Sequence, residues 1–189
     1  MNKPLLIIVN GLPGTGKTTL SKRLSQDAGL PLFSRDGIYE TLYDALDCPS
    51  NGSPPLLAPA AFTLLYSIAG SILSAGQSMM IEGFFGRPQL RTAELLQLKQ
   101  ACDFEPLQIM CRTDGDVLLN RFYARMGAKD RHAGHSDREW IHQEENKQRL
   151  LTGDLTPLAL GGTVIDIDTT TSSSFDYERL LQRVRLQAQ

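Results

Sequence analysis

The sequence predicts a three-layer α/β fold, with a parallel β-sheet between two layers of helices. Apolar runs of strand length alternate with amphipathic helical segments along the whole chain. The runs are nearly continuous, which is typical of parallel strands covered by helices on both faces. The chain has 189 residues, of which 41% are hydrophobic and 21% are charged, so its size and composition are those of one globular domain. We therefore expect residues 1–189 to form a single domain.

Five segments have the composition of strands, and helical segments lie between and after them. A stripe of Leu20, Leu24 and Ala28 follows the first strand at helical spacing. Gly29 is suited to end that helix, and Pro88 to begin a later one. The predicted strands cover residues 5–10, 30–34, 78–82, 107–111 and 163–168. The predicted helices cover residues 16–28, 38–45, 59–75, 88–101, 113–126 and 136–150, and a last helix contains Tyr177 to Val184.

Two segments without periodicity are predicted as loops. Residues 47–58 are rich in Pro, Gly and Ser, and they form a variable loop on the substrate side. Residues 127–135 are rich in Gly, His and charged residues, and they form a mobile loop within a small lid at about 121–136. Two capping-box spacings predict the flanking helix starts, Thr113 with Asp116 and Ser136 with Glu139.

The most specific motif lies between the first strand and the first helix. Residues 11–19 read Gly-Leu-Pro-Gly-Thr-Gly-Lys-Thr-Thr and match G-x-x-x-x-G-K-[ST], the phosphate-binding P-loop. Its glycines let backbone N–H groups point at an anion, and the following helix adds the positive end of its dipole. The alternative is a chance glycine-rich turn, but the strand and helix that the motif requires are both present. The predicted nucleotide-binding residues of this motif are Gly11, Pro13, Gly14, Thr15, Gly16, Lys17, Thr18 and Thr19, and Arg121 and Asp168 are predicted to join them from later in the chain.

Within this motif, two side chains have separate predicted roles. Lys17 is expected to reach the outer phosphates of the nucleotide, and the Thr18 hydroxyl is expected to bind Mg²⁺.

Asp36 comes just after the second predicted strand. If that strand neighbours the first, its carboxylate sits beside the γ-phosphate position. A kinase needs a carboxylate there to orient or deprotonate the attacking hydroxyl. The alternative is that Asp36 caps the following helix, and the two roles are compatible. Arg35 beside it either binds an anionic substrate or is solvated.

Glu82 ends the third predicted strand, where a carboxylate would bind Mg²⁺ directly or through water. Aspartate is the commoner residue at this position, so the longer Glu82 is also a candidate for substrate contact. A structural hydrogen bond is the third possibility.

Arg87 and Arg91 open the next helix at i, i+4 spacing. Arg87 is a candidate for anion binding, with a solvated surface position as the alternative.

Basic residues follow the fourth predicted strand. Arg121 and Arg125 share one helix face, and Lys129 and Arg131 follow in the loop. Guanidinium groups in a closing lid stabilise the charge of a transferring phosphoryl group and exclude water. The alternative is a solvated basic face.

Other residues are weaker indicators of a particular function. His132 and His135 are three apart without a Cys or a carboxylate pair to complete a metal site, so we expect them to shape the loop. Trp140 is expected in the core. Asp168 with Thr169 follows the last strand, where the adenine ring would lie.

The overall composition bears on partners and location. A net charge of −2 argues against a broad nucleic-acid-binding surface. No signal peptide precedes the P-loop and no apolar run reaches membrane-spanning length, so no membrane association is expected. The three cysteines are expected to be free thiols in a reducing cytoplasm.

These motifs together resemble the P-loop small-molecule kinases. The residues that carry the likeness are 11–19, Ser-Arg-Asp at 34–36, the Arg-x-x-x-Arg helix at 121–125 and Arg-His-x-Gly-His at 131–135. The nearest branch is the AAA-domain group related to polynucleotide 5′-hydroxyl kinase, chloramphenicol phosphotransferase and zeta toxin. The resemblance implies a nucleoside-monophosphate-kinase-like core with strand order 2-3-1-4-5. It also implies ATP and Mg²⁺ as cofactors.

The same resemblance implies roles for individual residues. Asp36 matches the catalytic carboxylate of the group, and Arg121 and Arg125 match its lid arginines. The sequence departs from the group at Glu82, where aspartate is usual, which leaves the metal ligands open.

The leading functional hypothesis is transfer of the ATP γ-phosphate to a hydroxyl of a small molecule, a nucleotide or a nucleic-acid end. One alternative is a regulatory module that binds or slowly hydrolyses ATP. Another is a zeta-toxin-like kinase of a nucleotide sugar.

Overall fold

The computed structural model describes residues 3–153 and 155–188. Within them, five parallel strands form one sheet in the order β2-β3-β1-β4-β5, which confirms the predicted fold class and strand order. Residues 1, 2, 154 and 189 of the predicted single domain lie outside the described residues. The strands are β1 (Leu5–Gly11), β2 (Leu32–Ser34), β3 (Met79–Gly83), β4 (Glu105–Arg112) and β5 (Thr163–Asp168).

The described residues form helices on both faces of this sheet. The first begins at the end of the P-loop and ends at Gly29, which has the left-handed φ of 68° that favours glycine at a helix C-terminus. The helices are α1 (Lys17–Ala28), α2 (Arg35–Ala45), α3 (Cys48–Asn51), α4 (Leu57–Ser74), α5 (Pro88–Cys102), α6 (Gly115–Met126), α7 (Asp137–His142), α8 (Glu144–Thr152) and α9 (Tyr177–Ala188).

The central strand β1 divides the core into two layers. Leu5, Ile7 and Val9 pack on the face that α1 and α9 cover. Leu6 and Ile8 point to the other face and pack under α4 and α5. This alternation with a period of two is why the strand sequence is apolar at every position.

The proline-rich segment 47–58 is not the continuous loop that its composition predicts. It contains the short helix α3 and the start of α4. Pro49 is the second residue of α3 and Pro59 is the third residue of α4. Proline is tolerated in the first turn of a helix, where its missing N–H has no intrahelical partner.

The helix predicted over residues 136–150 is two helices. Gln143 separates α7 from α8, and its extended backbone, with ψ of 115°, interrupts the helical hydrogen bonds. Ser136 precedes α7 but makes no side-chain capping bond, so the predicted capping box is absent.

The capping box predicted at Thr113 is also wrong. Asp114 caps α6, because its Oδ1 accepts hydrogen bonds from the backbone N–H groups of Asp116 and Val117, both at 3.1 Å.

The expectation that no apolar run reaches membrane-spanning length needs correction for α4. By length and composition alone, this 18-residue helix with a mean hydropathy of 1.5 meets the test for a membrane span. Six residues of α4 are buried, and four of these belong to the core on one face of the sheet. The six are Leu57, Ala61, Phe62, Leu65, Ala69 and Leu73. In total 33% of this helix is buried.

Gln108, in the middle of β4, is a fully buried polar residue with a structural role. Its Nε2 donates to the carbonyl of Leu158 at 2.8 Å, and its Oε1 accepts from the N–H of the same residue at 2.8 Å. These two bonds satisfy buried backbone groups in the segment that leads into β5.

Replacing Gln108 with leucine should lower the free energy of unfolding by about 3 kcal/mol, because two buried backbone groups lose their partners. Urea unfolding of Gln108→Leu against the wild type measures this. Gln148→Leu is the matched control, since Gln148 is exposed and bonds only to Glu144 within α8. Equal losses in the two variants would contradict the structural role of Gln108.

Candidate active site

The carboxyl ends of the central strands bring the predicted site residues to one edge of the sheet. Val9 pairs with Glu82 across β1 and β3, and Glu82 pairs with Ser34 across β3 and β2. Residues that follow these three positions therefore leave the sheet side by side. The P-loop follows β1, and Asp36 follows β2.

The P-loop backbone has the shape that its glycines allow. Gly14 and Gly16 have φ values of 95° and 80°, in the left-handed region. A Cβ on Gly11 would lie 2.5 Å from the Thr15 Oγ1, so only glycine fits there. Thr15 in turn donates through Oγ1 to the carbonyl of Leu12 at 2.9 Å.

The N-terminus of α1 has no side-chain cap, so no side chain occupies the N–H groups of its first turn. This arrangement fits a bound phosphate group. Lys17 begins the helix with its side chain only 7% exposed, and Thr18 and Thr19 follow as exposed residues on the first turn.

Leu12 connects the P-loop to the lid. It is fully buried in a cluster with Leu118 and Phe122 of α6, Ile141 of α7 and Leu150 of α8. The helix α6, which enters the lid, and the helices α7 and α8 that follow the lid therefore pack directly on the P-loop.

Glu82 lies beneath the P-loop, with 1% of its side chain exposed. Its Oε1 accepts a hydrogen bond from the Thr18 Oγ1 at 3.3 Å and lies 3.8 Å from the Lys17 Nζ. Its Oε2 is buried without a partner among the described residues. A hydroxyl beside an unsatisfied carboxylate oxygen is a donor set that suits Mg²⁺, so Thr18 and Glu82 fit the predicted metal.

The second prediction for Glu82, contact with the substrate, is not supported. Glu82 does not line the cavity described below, and its side chain is almost fully buried.

Asp36 lies in the first turn of α2 but does not cap it. The cap is Ser34, whose Oγ accepts the N–H of Gly37 at 3.3 Å, so the capping alternative for Asp36 is wrong. Asp36 accepts a hydrogen bond from Arg35 Nη1 at 3.0 Å, and 41% of its side chain is exposed.

The electrostatic surroundings of Asp36 favour its ionised form. Burial would raise the pKa of this carboxyl, but the charges of Lys17 and Arg35 and the hydrogen bond from Arg35 hold the pKa below its usual value. Asp36 is therefore a carboxylate at neutral pH, ready to accept a hydrogen bond.

A cavity of about 990 Å³ opens beside Asp36 and Lys17. Its wall includes apolar side chains from α4, the loop after β3 and α7. Its charged lining is mainly basic, although the chain as a whole carries a net charge of −2. The basic residues are Lys17, Arg35, Arg87, Arg91, Arg125, Arg131 and Arg149, and the acidic ones are Asp36, Asp137, Glu139 and Glu145.

Asp137 positions two arginines of the lid. Its carboxylate receives two hydrogen bonds from Arg131, at 2.6 and 2.8 Å, and one from Arg125 at 3.0 Å. Burial would raise the pKa of Asp137, but these arginines hold it below its usual value. Burial also lowers the pKa of the Arg125 guanidinium, which is opposed by the charges of Asp137 and Asp36. Arg125 and Arg131 thus face the same cavity as Asp36.

Arg121 does not join Arg125 at this cavity, which corrects the prediction that both arginines act together there. Its two Nη atoms donate to the carbonyls of Thr169 at 3.0 Å and Thr170 at 2.7 Å, in the loop after β5. Arg125 lies four residues further on, about 6 Å along the helix axis, and reaches Asp137 of α7 instead.

Asp168 is exposed at the end of β5, where its Oδ1 accepts the N–H of Thr170 at 2.8 Å. Arg121 and Asp168 therefore meet the same loop, on the side where the sequence predicts the adenine ring.

The loop at 127–135 docks on α2, the helix that carries Asp36. His135 Nε2 lies 2.6 Å from Glu40 Oε1, and His132 Nε2 lies 3.1 Å from Asp44 Oδ1. The Tyr39 hydroxyl donates to the carbonyl of Gly134 at 3.1 Å. The two histidines thus hold the lid loop against α2, in agreement with the structural role predicted for them.

Aromatic rings close one side of the cavity. Trp140 is half-buried, packs on Phe122 at 5.3 Å and meets Phe84 edge-on at 6.3 Å between ring centroids. It therefore lines the cavity as well as the small core under the lid. Arg87 is exposed at the cavity rim, at the start of α5.

Sequence reasoning missed two side chains that shape the site. Asp137 belongs to no recognised sequence motif. Its position in a basic segment was the one signal that it could pair with the arginines. Asn10 is buried at the end of β1, where its Oδ1 accepts the N–H of Phe85 at 3.2 Å and fixes the loop after β3. A polar residue inside an apolar strand was the available signal.

The family model described as an AAA domain matches residues 6–150. The chain belongs to the AAA-domain family. A crystal structure of a proposed kinase from Chloroflexus aurantiacus is 36% identical to this AAA-domain protein, covers 100% of both chains and superposes with a TM-score of 0.87. These findings confirm the predicted P-loop kinase-like group. The fold is that of kinases that use a nucleotide as phosphoryl donor.

More distant kinases share the fold alone. A sugar kinase from Janibacter sp. HTCC2649 is 17% identical, with a TM-score of 0.59 and coverage of 98% of this chain and 99% of its own. A gluconokinase from Sinorhizobium meliloti 1021 is 14% identical, with a TM-score of 0.54 and full coverage of both chains.

Uncharacterised proteins of Mycobacterium tuberculosis and Mycobacterium bovis are 27% identical over 131 residues, which is 65% of this chain. The chain spans about a quarter of the length of these curated relatives, 26%.

Replacing Asp137 with asparagine should remove a pH-dependent part of the stability. The lowered pKa means that the stabilisation is fully present above the ordinary aspartate pKa of about 3.9 and is lost as the pH falls through the folded-state value. At pH 7 the loss should be about 2 kcal/mol, from hydrogen bonds to charged groups.

Urea unfolding of Asp137→Asn and the wild type at several pH values between 7 and 3 measures this difference. Asp130→Asn, at an exposed position of the loop before α7, is the control. A difference between wild type and Asp137→Asn that stays constant down to pH 3 would rule out the ionised Asp137 as its source.

Proposed function

We propose that this AAA-domain protein is an ATP- and Mg²⁺-dependent phosphotransferase that moves the γ-phosphoryl group to a hydroxyl of a small molecule or nucleotide. The observation that carries the proposal is the position of Asp36. An ionised carboxylate faces a cavity of about 990 Å³, beside the P-loop lysine. A module that only hydrolyses ATP to change shape needs no such cavity for an acceptor.

The nucleotide site follows from the P-loop geometry. The backbone N–H groups of Gly14, Gly16 and the first turn of α1 would hold the phosphates, and Lys17 would contact the outer ones. Thr18 and Glu82 would hold Mg²⁺. The loop after β5, held by Arg121, would lie against the base. When bound, ATP supplies the transferable phosphoryl group and Mg²⁺ neutralises charge on its phosphate oxygens.

Asp36 orients the acceptor and takes its proton. The acceptor O–H donates a hydrogen bond to the Asp36 carboxylate, which turns a lone pair of the hydroxyl oxygen toward phosphorus. As the new oxygen–phosphorus bond forms, the bond between the γ-phosphorus and the ADP oxygen breaks. The hydroxyl proton passes to Asp36 and then to solvent, so that the carboxylate is restored. Because its pKa is low, Asp36 accepts this proton only as the hydroxyl becomes acidic late in the transfer.

The lid arginines complete the site. Arg125 and Arg131 face the cavity as fixed cations, because Asp137 holds both. Their guanidinium groups would stabilise the negative charge on the transferring oxygens. Docking of the lid loop on α2 would exclude water, which limits wasteful hydrolysis of ATP.

Replacing Asp36 with asparagine should lower acceptor-dependent turnover at least 100-fold, because general-base catalysis contributes about 10²–10⁴ in rate. Nucleotide affinity should change less than about twofold, since the P-loop is untouched. The measurements are ADP release, with a metabolite extract as the source of acceptors, and calorimetric titration with nucleotide.

Asp103→Asn is the matched control for this variant. Asp103 is distant in the fold, forms an exposed ion pair with Lys3 and has a φ of 46° that asparagine also tolerates. Full turnover by Asp36→Asn would show that the base is elsewhere.

Replacing Glu82 with glutamine should raise the Mg²⁺ concentration needed for half-maximal turnover about tenfold, because a carboxylate near the metal is lost. Nucleotide binding without Mg²⁺ should be unchanged. Glu178→Gln on α9, where the side chain is 80% exposed, is the control. An unchanged Mg²⁺ requirement in Glu82→Gln would remove Glu82 from the metal site.

The three cysteines are free thiols, and Cys48 and Cys111 are buried. Free thiols suit a reducing compartment, so the proposed location is the cytoplasm.

A further inference from the structure

We infer that the acceptor is a small anionic alcohol, with its carboxylate or phosphate group bound by Arg35, Arg87 and Arg91 while its hydroxyl lies at Asp36. This inference rests on the proposed phosphotransferase function and specifies the substrate class of the same site. These three arginines are called the acceptor arginines below.

Phe62 of α4 organises two of the acceptor arginines. The guanidinium carbon of Arg91 lies 3.5 Å from the centre of the Phe62 ring, and that of Arg35 lies 5.2 Å from it. Cation–π contacts of this kind hold a guanidinium in place without using its N–H donors. Phe62 itself is 8% exposed and belongs to the core, so the platform is rigid.

The acceptor arginines have more hydrogen-bond donors than their protein partners use. Arg91 is 8% exposed and bonds to Glu94 Oε2 at 2.6 Å, and Glu94 does not line the cavity. Arg35 bonds to Asp36 through one Nη1. A guanidinium carries five N–H donors, so one carboxylate oxygen leaves others available. Among residues 3–153 and 155–188, Arg87 has neither an ion pair nor a side-chain hydrogen bond.

The lid arginines share one carboxylate, because Asp137 receives two hydrogen bonds from Arg131 and one from Arg125. Arg35 and Arg91 each pair with a carboxylate of their own. Among the basic residues of the cavity in the described part of the chain, Arg87 is the one without an ion pair, so it adds unpaired positive charge at the α5 end of the cavity. An oxyanion is the ligand that guanidinium groups bind best, by paired N–H···O hydrogen bonds.

The geometry also limits the size of the acceptor. Arg35 contacts both the Asp36 carboxylate and the Phe62 ring that Arg91 covers. An anion held by Arg35 and Arg91 is therefore near the hydroxyl that Asp36 receives. Hydroxy acids and phosphorylated alcohols, in which few bonds separate these two groups, meet this requirement.

The test compares matched neutral and anionic alcohols. Binding of glycerol, glycerate and glycerol 3-phosphate, and of sorbitol and gluconate, is measured by calorimetry with Mg²⁺ and a non-hydrolysable ATP analogue. ADP release and phosphoester formation are then measured with ATP. The anionic members should bind at least tenfold more tightly than their neutral partners, and the preference should fall with added salt. Glycerate against glycerol 3-phosphate distinguishes a carboxylate from a phosphate ligand.

Substitution of Arg87 tests whether the preference for anionic alcohols arises at the acceptor arginines. Arg87→Gln, at an exposed position, should weaken binding of the anionic alcohols about tenfold and leave the neutral ones unchanged. Arg183→Gln, on the exposed side of α9, is the control. Arg91→Lys keeps the positive charge, and it should retain part of the affinity that Arg91→Gln loses.

The outcomes separate the inference from the proposed function. Anion binding that depends on Arg87 but yields no phosphoester would support the anion site at the acceptor arginines and refute the role of these alcohols as acceptors. Phosphorylation of a neutral alcohol without an anion preference would support the phosphotransferase and overturn the inference. Failure of every anionic probe to bind the wild type, or equal anion affinity in Arg87→Gln, would overturn the inference.

Discussion

The parallel pairing of β1 with β3 is the interaction on which the site depends. Its register aligns Val9 with Glu82, so the P-loop and the Glu82 carboxylate, the proposed metal ligand, leave the sheet at the same level. A slip of one residue would turn Glu82 to the opposite face of the sheet and separate it from Thr18. The buried side chains of Leu6, Ile8 and Ile81 fix this register, because any shift would expose apolar surface or bury polar groups.

Two further sets of contacts connect this edge of the sheet with the lid. Leu12 packs the P-loop against the lid helices, and Asp137 then directs two lid arginines toward the cavity. The lid loop in turn docks on α2 through His132 and His135. The P-loop, the proposed acceptor site and the lid are therefore linked through packed side chains, and Asp36, the proposed catalytic carboxylate, lies beside all three.

The sequence predicted the elements that are determined by interactions between residues close together in the chain. Buried parallel strands appear as apolar runs, and the P-loop requires particular residues because its backbone must approach an anion. The direction in which a side chain points was harder to predict from the sequence. The helix spacing of Arg121 and Arg125 predicted a shared face, but their partners, Thr169 and Asp137, come from segments 48 and 12 residues away. The role of Asp137 itself depends on tertiary contacts that no local pattern contains.

The high proline content of one segment led to a wrong prediction of its secondary structure. Residues 47–58 have a loop composition, yet prolines in first turns are compatible with α3 and α4. Conversely, Ser136 and Glu139 had the spacing of a capping box, but the extended backbone at Gln143 leaves α7 only six residues long.

The proposed reaction is transfer of a phosphoryl group to an acceptor hydroxyl. It can be followed with ATP labelled with ¹⁸O on its γ-phosphoryl oxygens, incubated with the protein, Mg²⁺ and a metabolite extract and analysed by mass spectrometry. Phosphoryl transfer should place the label in a new phosphoester whose bridging oxygen, contributed by the acceptor hydroxyl, is unlabelled. Recovery of the label only in inorganic phosphate would show that the protein hydrolyses ATP, and it would refute phosphoryl transfer to an acceptor.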